Sequence, residues 1–252
     1  MGIIILLFFA FTLATDGEWR PVWEDDFTGH SLDLTKWDYD YGENWFHGEL
    51  QAYTNNSRNV FLKDSNLYLR AYKEKYKSKD YTSGRIFTRY TASWYCGRFE
   101  AKMKMPTGMG MWPAFWLLPV WLDWPLYGEI DIMEHIGKEP YTQHAAVHYG
   151  HDYFNLKSKP GKHESKTFLN ESFSLYAIEW EPEELRFYIN DTQYLTFNKK
   201  DRAADEFWPF DQKIPFYIIL NLAIGGSWPG PPDETTKFPQ DFIIDYVKVY
   251  QK

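Results

Sequence analysis

Apolar and polar residues alternate along many short stretches of this chain. Within residues 66–72, Leu67, Leu69 and Ala71 occupy alternate positions, with polar or aromatic side chains between them. Residues 98–105 repeat the pattern, with apolar side chains at the odd positions. Because successive side chains of a strand point to opposite faces, each stretch is predicted to form a half-buried β-strand.

Other stretches predict a hairpin and two further strands. Residues 175–180 and 185–190 flank Glu181-Pro182-Glu183-Glu184, in which the proline favours a turn. Residues 216–222 are almost continuously apolar, as expected of a strand that is covered on both faces. Residues 242–250 form the last predicted strand.

Helix signals are few in this sequence. One helical turn or short helix is predicted over residues 200–207, before Trp208-Pro209 ends it. The chain of 252 residues has no internal repeat and no segment that resembles a linker, so residues 16–252 are predicted to form a single domain. Many short strands with so little helix predict an all-β fold, a β-sandwich.

The segment Gly128–His135 carries three carboxylates in an otherwise apolar, β-prone run. Side-by-side burial of acids is unfavourable, because desolvation and like charges both raise their pKa values. Strand alternation puts Glu129 and Asp131 on one face but turns Glu134 away from it. A β-bulge at Ile132-Met133 would return Glu134 to the face of the other acids, and bulges are common beside active sites. We therefore predict a bulge there.

Two carboxylates on one face with a third between them suit a retaining glycosidase. Glu129 is the predicted nucleophile and Glu134 the predicted acid/base. Asp131 would hydrogen-bond or share a proton with a neighbour, which separates the pKa values of the two glutamates. The alternative is a solvated edge strand whose acids deter aggregation. The apolar residues between the acids and the tryptophan-rich segments before them favour the glycosidase.

Glu129-x-Asp131-x-x-Glu134 resembles the bulged catalytic strand of glycoside hydrolase family 16, in the laminarinase (endo-β-1,3-glucanase) branch of that family. The resemblance extends from about Trp23 to the C-terminus, with the family's motifs in order. Six further segments carry it: Glu49-Leu50-Gln51-Ala52-Tyr53-Thr54, Ser83-Gly84-Arg85-Ile86, Tyr95-Cys96-Gly97-Arg98-Phe99-Glu100-Ala101, Trp112-Pro113-Ala114-Phe115-Trp116-Leu117-Leu118-Pro119, Leu220-Asn221-Leu222-Ala223-Ile224-Gly225-Gly226 and Asp245-Tyr246-Val247-Lys248-Val249-Tyr250-Gln251.

This resemblance implies a jelly roll of two antiparallel sheets with a concave substrate cleft. It also implies a secreted endo-β-1,3-glucanase that acts on laminarin-type β-glucans by double displacement, with no cofactor for catalysis. One alternative is the same chemistry on mixed-linkage glucan or another β-glycan, such as a marine galactan. Another is a non-catalytic β-1,3-glucan recognition protein. Relatives of that kind have lost the catalytic glutamates, whereas all three acids are in place here.

The resemblance further implies a set of substrate-binding residues: Trp116, Trp112, Arg85, Asn59, Asn221 and Trp228. Trp116 is the stronger candidate of the first two, because Trp112 could equally be a core residue. A surface ion pair is the ordinary role of an arginine such as Arg85. Asn221, in an apolar strand, could instead satisfy the backbone of neighbouring loops.

Histidines near the acids open a rival interpretation, a metal site. His144 and His148 share parity on the strand that follows the acids, and His135 and His151 are near in sequence. Imidazole and carboxylate ligands suit several transition metals. The family resemblance instead implies that His148 assists the acids, with His144 structural or exposed.

A structural Ca²⁺ is a separate implication of the resemblance. Asp245 matches a carboxylate that often binds calcium on the convex side of the family's domains, away from the cleft. Oxygen ligands suit this ion. The alternative role for Asp245 is a hydrogen bond or ion pair at the end of a strand.

Composition restricts the class of partner. A net charge of −8 disfavours nucleic acid and anionic membranes, which attract basic surfaces. Aromatic residues make up 20% of the chain, and their flat rings suit the C–H faces of sugars. A neutral polysaccharide fits both observations, and we expect the protein to act as a monomer.

The N-terminus predicts export. Residues 1–15 resemble a signal peptide, with a short apolar run and a small-residue cleavage motif at Thr12-x-Ala14. The alternative is an uncleaved anchor, because no Lys or Arg precedes the apolar run. The mature protein is expected to be secreted and extracellular. Cys96 is the only cysteine, so stability must come from the core rather than from an internal disulfide. Three sequons begin at Asn55, Asn170 and Asn190.

Overall fold

The computed structural model describes residues 17–121, 124, 127–150, 152–203 and 206–252. The predicted signal peptide, residues 1–15, lies outside them. Within the described part, no helix is both long and apolar enough to cross a membrane.

Strands dominate the fold, as the alternating pattern predicts. In chain order they are β1 (Arg20–Asp25), β2 (Asp38–Tyr39), β3 (Gln51–Tyr53), β4 (Val60–Lys63), β5 (Asn66–Ala71), β6 (Tyr81–Ser83), β7 (Arg85–Phe87), β8 (Gly97–Lys104), β9 (Met111–Pro119), β10 (Glu129–Glu134), β11 (Thr142–Tyr149), β12 (Lys157–Glu164), β13 (Ser174–Glu181), β14 (Glu184–Ile189), β15 (Thr192–Asn198), β16 (Phe216–Ile224) and β17 (Gln240–Gln251). Short 3₁₀ turns span Phe46–Gly48, Tyr153–Asn155, Lys199–Asp201 and Pro209–Asp211.

Two large antiparallel sheets form the predicted sandwich. One sheet has the order β15-β14-β13-β8-β17-β5-β4, with β1 also paired to β17. The other has the order β12-β11-β10-β9-β16-β7-β2 and carries the acids on β10. β3 and β6 form a small parallel pair beside them. The observed architecture confirms the two-sheet all-β fold class.

The core lies between the two sheets. Leu67, Leu69 and Ala71 of β5 are fully buried, which confirms the predicted inward face of that strand. Phe115 and Leu117 of β9 are fully buried on the opposing sheet. Every residue of β16 is buried, as its continuous apolar sequence predicts. Because side chains alternate, the even-numbered residues of β9 face away from this core.

The β13–β14 hairpin forms as predicted, with Glu181 paired to Glu184 around a two-residue turn. Of the helix predicted over residues 200–207, the described residues form only a helical turn at the beginning. A single 3₁₀ turn spans Lys199–Asp201, and Asn198 caps it by accepting a hydrogen bond from the Lys200 backbone N–H. Pro209 begins a second turn instead of ending a helix, because its fixed φ and missing N–H suit a first position.

Candidate active site

A bulge in β10 gathers the three acids on one face. On its β9 side, Asp131 pairs with Trp116, and the next pair is Met133 with Phe115, so β10 uses one extra residue. The register on the β11 side shifts over the same segment. Because the extra residue reverses the alternation, Glu134 returns to the face of Asp131. This confirms the bulge that the sequence predicts.

The opposite face of β10 points into the core. Ile130, Ile132 and Met133 are fully buried there. Glu129 and Glu134 are only partly buried. The acids therefore line the outer face of the seven-stranded sheet, which we call the site face.

An indole N–H donates to each glutamate. Trp112 Nε1 donates to Glu134 Oε1 over 3.0 Å. Trp124 Nε1, from the loop before β10, donates to Glu129 Oε2. Bonds to a charged acceptor are stronger than neutral ones and fix its rotamer. Trp112 was predicted to contact substrate rather than an acid, and Trp124 was not predicted as a site residue.

The middle acid contacts a histidine. His148 Nε2 lies 3.1 Å from Asp131 Oδ2, and Ser158 Oγ lies 3.0 Å from His148 Nδ1. When Ser158 donates to Nδ1, the ring hydrogen lies on Nε2, the nitrogen nearest Asp131 Oδ2. The structure thus places His148 beside the acids, where the resemblance implied it.

Burial and mutual repulsion raise the pKa of all three acids. Burial raises the pKa of Glu134 to about 7. Burial, followed by the neighbouring acid's charge, raises the pKa values of Glu129 and Asp131 well above their ordinary range. Oxygen atoms of the Glu129 and Asp131 carboxyl groups lie within 4.8 Å of each other. Because adjacent acids resist full ionisation, the cluster retains protons near neutral pH.

Trp116, Asn221 and Arg85 adjoin one another on the site face. Trp116 Nε1 donates to Asn221 Oδ1 over 2.7 Å. The Arg85 guanidinium lies 5.0 Å from the centre of the Trp116 ring and 4.8 Å from that of Trp45. Asp40 Oδ2 lies 2.8 Å from Arg85 Nε. Three predicted residues therefore meet beside the acids, together with Trp45 and Asp40, which were not predicted as site residues.

Trp228 lies on the other side, against the residues that flank Glu134. Its ring meets the Trp112 ring edge-on at 5.6 Å and the His144 ring at 4.9 Å. His144 Nε2 is 2.9 Å from Glu139 Oε2, and burial lowers the pKa of His144. His144 is thus a packed, hydrogen-bonded wall residue beside the acid/base candidate.

Asn59 is not brought to the site face. It is 1% exposed, and its side chain bonds within the protein. Its Oδ1 accepts a hydrogen bond from Thr54 Oγ1 over 2.6 Å, and its Nδ2 lies 2.9 Å from Arg70 O and 3.1 Å from Thr82 Oγ1. These contacts leave its amide engaged within the fold, so Asn59 ties strand ends together instead of facing a sugar.

Three side chains that could serve as metal ligands lie close together. Atoms of Glu129, Asp131 and His148 lie within 4.8 Å of one another. These oxygens already face the N–H groups of Trp124 and His148, which are donors that compete with a cation. His135 is buried elsewhere, with Nδ1 3.0 Å from Thr142 O, and burial lowers its pKa to about 4. His151 lies outside the described residues. The contacts therefore suit acid chemistry better than metal binding.

Asp245 lies on the other sheet, in β17, away from the acids. Its Oδ2 is 2.6 Å from Lys102 Nζ of β8. The register of β17 against β8 shifts between Ile244 and Tyr246, which leaves Asp245 at an irregularity in the ladder. The ammonium group supplies the compensating charge at this position.

Comparison with known proteins agrees with this geometry. The sequence profile described as Glycosyl hydrolases family 16 matches residues 47–248. The chain is 41% identical to a β-glucanase of Rhodothermus marinus, over 92% of this chain and 85% of that protein. It is 32% identical to a glucan endo-1,3-β-glucosidase of Cryptopygus antarcticus, over 96% of each. The X-ray structure of the laminarinase from Rhodothermus marinus superimposes with a TM-score of 0.84 at 38% identity, covering 93% of this chain and 98% of that one.

Proposed function

The chain belongs to glycosyl hydrolase family 16, and we propose that it is a secreted enzyme that cleaves internal β-1,3-glucosidic bonds of laminarin-type glucans. The observation that carries this proposal is the bulged strand, which directs Glu129, Asp131 and Glu134 to one face with an indole donor on each glutamate. Relatives named as β-1,3-glucan hydrolases support the choice of substrate. The family's chemistry needs no catalytic cofactor.

The reaction follows two displacements. Glu129 attacks the anomeric carbon and forms a glycosyl ester, while the bond to the leaving sugar oxygen breaks. Glu134, whose pKa of about 7 keeps it largely protonated in mildly acidic solution, gives its proton to that oxygen. Glu134 then takes a proton from water, and the hydroxide oxygen replaces Glu129 at the same carbon. The anomeric configuration is therefore retained.

Asp131 and His148 influence the ionisation of the nucleophile Glu129. Glu129 and Asp131 lie too close for both to be ionised easily, and a proton held by Asp131 leaves Glu129 charged and able to attack. Once the ester forms, Glu129 no longer carries negative charge, and the repulsion that favours a protonated Asp131 is removed. In this scheme His148 acts on Asp131 and does not touch the reacting bond.

Substrate binding uses the aromatic residues around the acids. Trp116, Arg85 and Asn221 form one side, and Trp112 and Trp228 form the other. Aromatic rings suit the C–H faces of glucose, and the amide and guanidinium groups suit its hydroxyls. A neutral polymer also avoids repulsion from a protein of net charge −8.

Sugar release from a polysaccharide panel tests the function. Laminarin, curdlan, mixed-linkage glucan, cellulose and agarose are incubated with wild type, Glu129→Gln and Glu134→Gln. Hydrolysis of the β-1,3-glucans that both substitutions abolish supports the proposal. Hydrolysis confined to another polymer changes the substrate but keeps the reaction. Laminarin binding without any hydrolysis by the wild type would instead establish the recognition-protein alternative.

Calcium was expected at Asp245, and the residues there fit it poorly. Lys102 Nζ already lies 2.6 Å from the carboxylate, so a divalent ion would meet a positive charge in its coordination sphere. We infer that Asp245 stabilises the sheet through Lys102. A melting temperature that is the same in EDTA and in millimolar Ca²⁺ is the expected result, and a clear rise with Ca²⁺ would contradict it.

Export remains a proposal based on residues 1–15. Expression of the full chain in a secreting host, followed by mass determination of the protein in the medium, tests it. Loss of about the first 15 residues is the expected result. Size-exclusion chromatography with light scattering tests the expected monomer.

A further inference from the structure

Glu49 is a carboxylate near the site that the proposed reaction does not use. It begins the segment Glu49–Thr54, which belongs to the family resemblance but received no role. Burial raises the pKa of Glu49, while donors from Gln51 and Tyr53 and the charge of Arg85 act against the rise. A carboxylate held in this way requires a structural or functional reason.

A chain of hydrogen bonds leads from Trp116 to Glu49. Trp116 Nε1 donates to Asn221 Oδ1 over 2.7 Å, and Asn221 Nδ2 donates to Tyr53 OH over 3.0 Å. Tyr53 OH donates to Glu49 Oε2 over 3.2 Å. Tyr53 and Asn221 are both buried. The chain therefore joins a residue beside the acids to a carboxylate at the edge of the site.

The two ends of the chain determine the direction of every bond in it. An indole nitrogen only donates, and an ionised carboxylate only accepts. Asn221 must therefore present its oxygen to Trp116 and its nitrogen to Tyr53. The Tyr53 hydroxyl must then accept from Asn221 and donate to Glu49. No other arrangement satisfies all four groups.

A second chain ends on the same oxygen of Glu49. The Ile224 backbone N–H donates to Gln51 Oε1 over 2.7 Å, and Gln51 Nε2 donates to Glu49 Oε2 over 2.6 Å. A backbone N–H is also a pure donor, so Gln51 is oriented in the same way. Both chains start in the seven-stranded sheet, one from Trp116 and the other from β16.

We propose that Glu49 is a positioning residue: as the common acceptor of both chains, it anchors the Tyr53 hydroxyl and, through Asn221, holds in place the Trp116 ring that contacts glucan. This inference rests on the proposed function, because it takes Trp116 as a substrate contact. Without an acceptor at position 49, the hydrogen of the buried Tyr53 hydroxyl has no partner in the described part of the chain, and the hydroxyl is no longer held in place. Asn221 Nδ2 then loses its fixed acceptor, and Trp116 alone holds the amide that positions its ring.

Four variants separate this role from a general loss of structure. Glu49→Gln keeps an acceptor oxygen, and Glu49→Ala removes it. Tyr53→Phe removes only the hydroxyl that links Asn221 to Glu49. The double variant Glu49→Ala/Tyr53→Phe combines both losses. Circular dichroism and melting temperature establish that each variant folds. If Glu49→Ala does not fold, Tyr53→Phe and Glu49→Gln still test the chain.

We expect Glu49→Ala and Tyr53→Phe each to raise the KM for laminarin about tenfold, the effect of losing one oriented hydrogen bond near a binding ring. The kcat stays within about twofold, because the chain does not reach the acids. The double variant matches either single variant, since both break the same chain. Glu49→Gln resembles wild type. Additive effects, an unchanged KM in Glu49→Ala, or a Glu49→Gln as impaired as Glu49→Ala would each overturn the proposal.

A spectroscopic measurement is independent of activity. The protein contains 12 tryptophans, so ¹⁵N-tryptophan labelling gives a limited set of indole N–H signals, and Trp116→Phe assigns one of them. That signal should shift in Glu49→Ala and Tyr53→Phe but remain in place in Glu49→Gln. A signal that never moves refutes the positioning role even if the enzyme is active. Failure of wild type to cleave or bind any glucan refutes the proposed function alone.

Discussion

Trp112 donates its indole hydrogen to Glu134, the proposed acid/base, over 3.0 Å. This bond lowers the pKa of Glu134, against burial, which raises it to about 7. The same tryptophan packs edge-on against Trp228, whose ring contacts His144. One side chain therefore links the proton donor to the wall of the proposed binding site.

Trp112→Phe should move the alkaline limb of the kcat/KM profile to higher pH. Without the indole donor, the Glu134 carboxylate loses stabilisation, its pKa rises, and the acid stays protonated to higher pH. A shift of up to about one pH unit is expected for a bond worth about 1.4 kcal/mol. Trp228→Phe, which alters the packing but not this bond, is the matched control and should leave the limb in place.

Glu134→Gln should stabilise the protein in alkaline solution. The pKa of Glu134 is about 7 in the folded state against an ordinary 4.5. Between these values the folded state binds more protons than the unfolded state, so the free energy of unfolding decreases as pH rises through this window. Removing the charge should raise the melting temperature at pH 8 by roughly 4–8 °C, or about 2 kcal/mol.

The same substitution should have little effect on melting at pH 4, where the carboxyl is protonated in both states. Glu234→Gln, at an exposed position, provides the comparison and should leave the melting temperature unchanged at both values of pH. Equal stabilisation at pH 4 and pH 8 would show that charge burial is not the cause.

Trp124→Phe should reduce kcat/KM about 10- to 100-fold, because it removes the donor that fixes the nucleophile Glu129. Trp121→Phe is the control, since Trp121 lies three positions earlier and is 75% exposed. Steady-state kinetics on laminarin measure both variants. Equal losses in the two would assign the effect to the loop and not to the hydrogen bond.

Azide rescue should distinguish the roles of the two glutamates. With a β-glucoside that has an activated phenol leaving group, azide should attack in place of the missing carboxylate in Glu129→Gly and give the α-glycosyl azide. In Glu134→Gly the glycosyl ester still forms on Glu129, and azide should displace it to give the β-glycosyl azide. The anomeric coupling constant in proton NMR identifies each product. Reversed products would exchange the two assignments.

Local periodicity in the sequence was sufficient for much of this protein. The alternation in β5 and β8, the two-residue turn between β13 and β14, and the bulge in β10 all depend on neighbours within a few positions. The common face of Trp112 and Trp116 follows from the same spacing. These features are predictable because side chains alternate faces every two residues along a strand. The bulge is the one departure from this alternation, and it places Glu134 on the face of the other acids.

Contacts between distant segments could not be read in this way. Asn59 proved to be a buried tie between strand ends, and Asp245 proved to face Lys102. The donor on Glu129 comes from a loop, whose conformation is not periodic.

The two-sheet fold and the three acids on one face were predictable from the sequence alone, because both follow from local alternation and one bulge. The groups that orient those acids and the residues around them became known only from contacts in the folded protein. Trp116 lies 105 positions from Asn221, and Asn221 lies 168 positions from Tyr53. Glu49 acts on Trp116 only through a chain of such long-range hydrogen bonds. Its positioning role therefore requires the folded sheets, which bring these distant segments together.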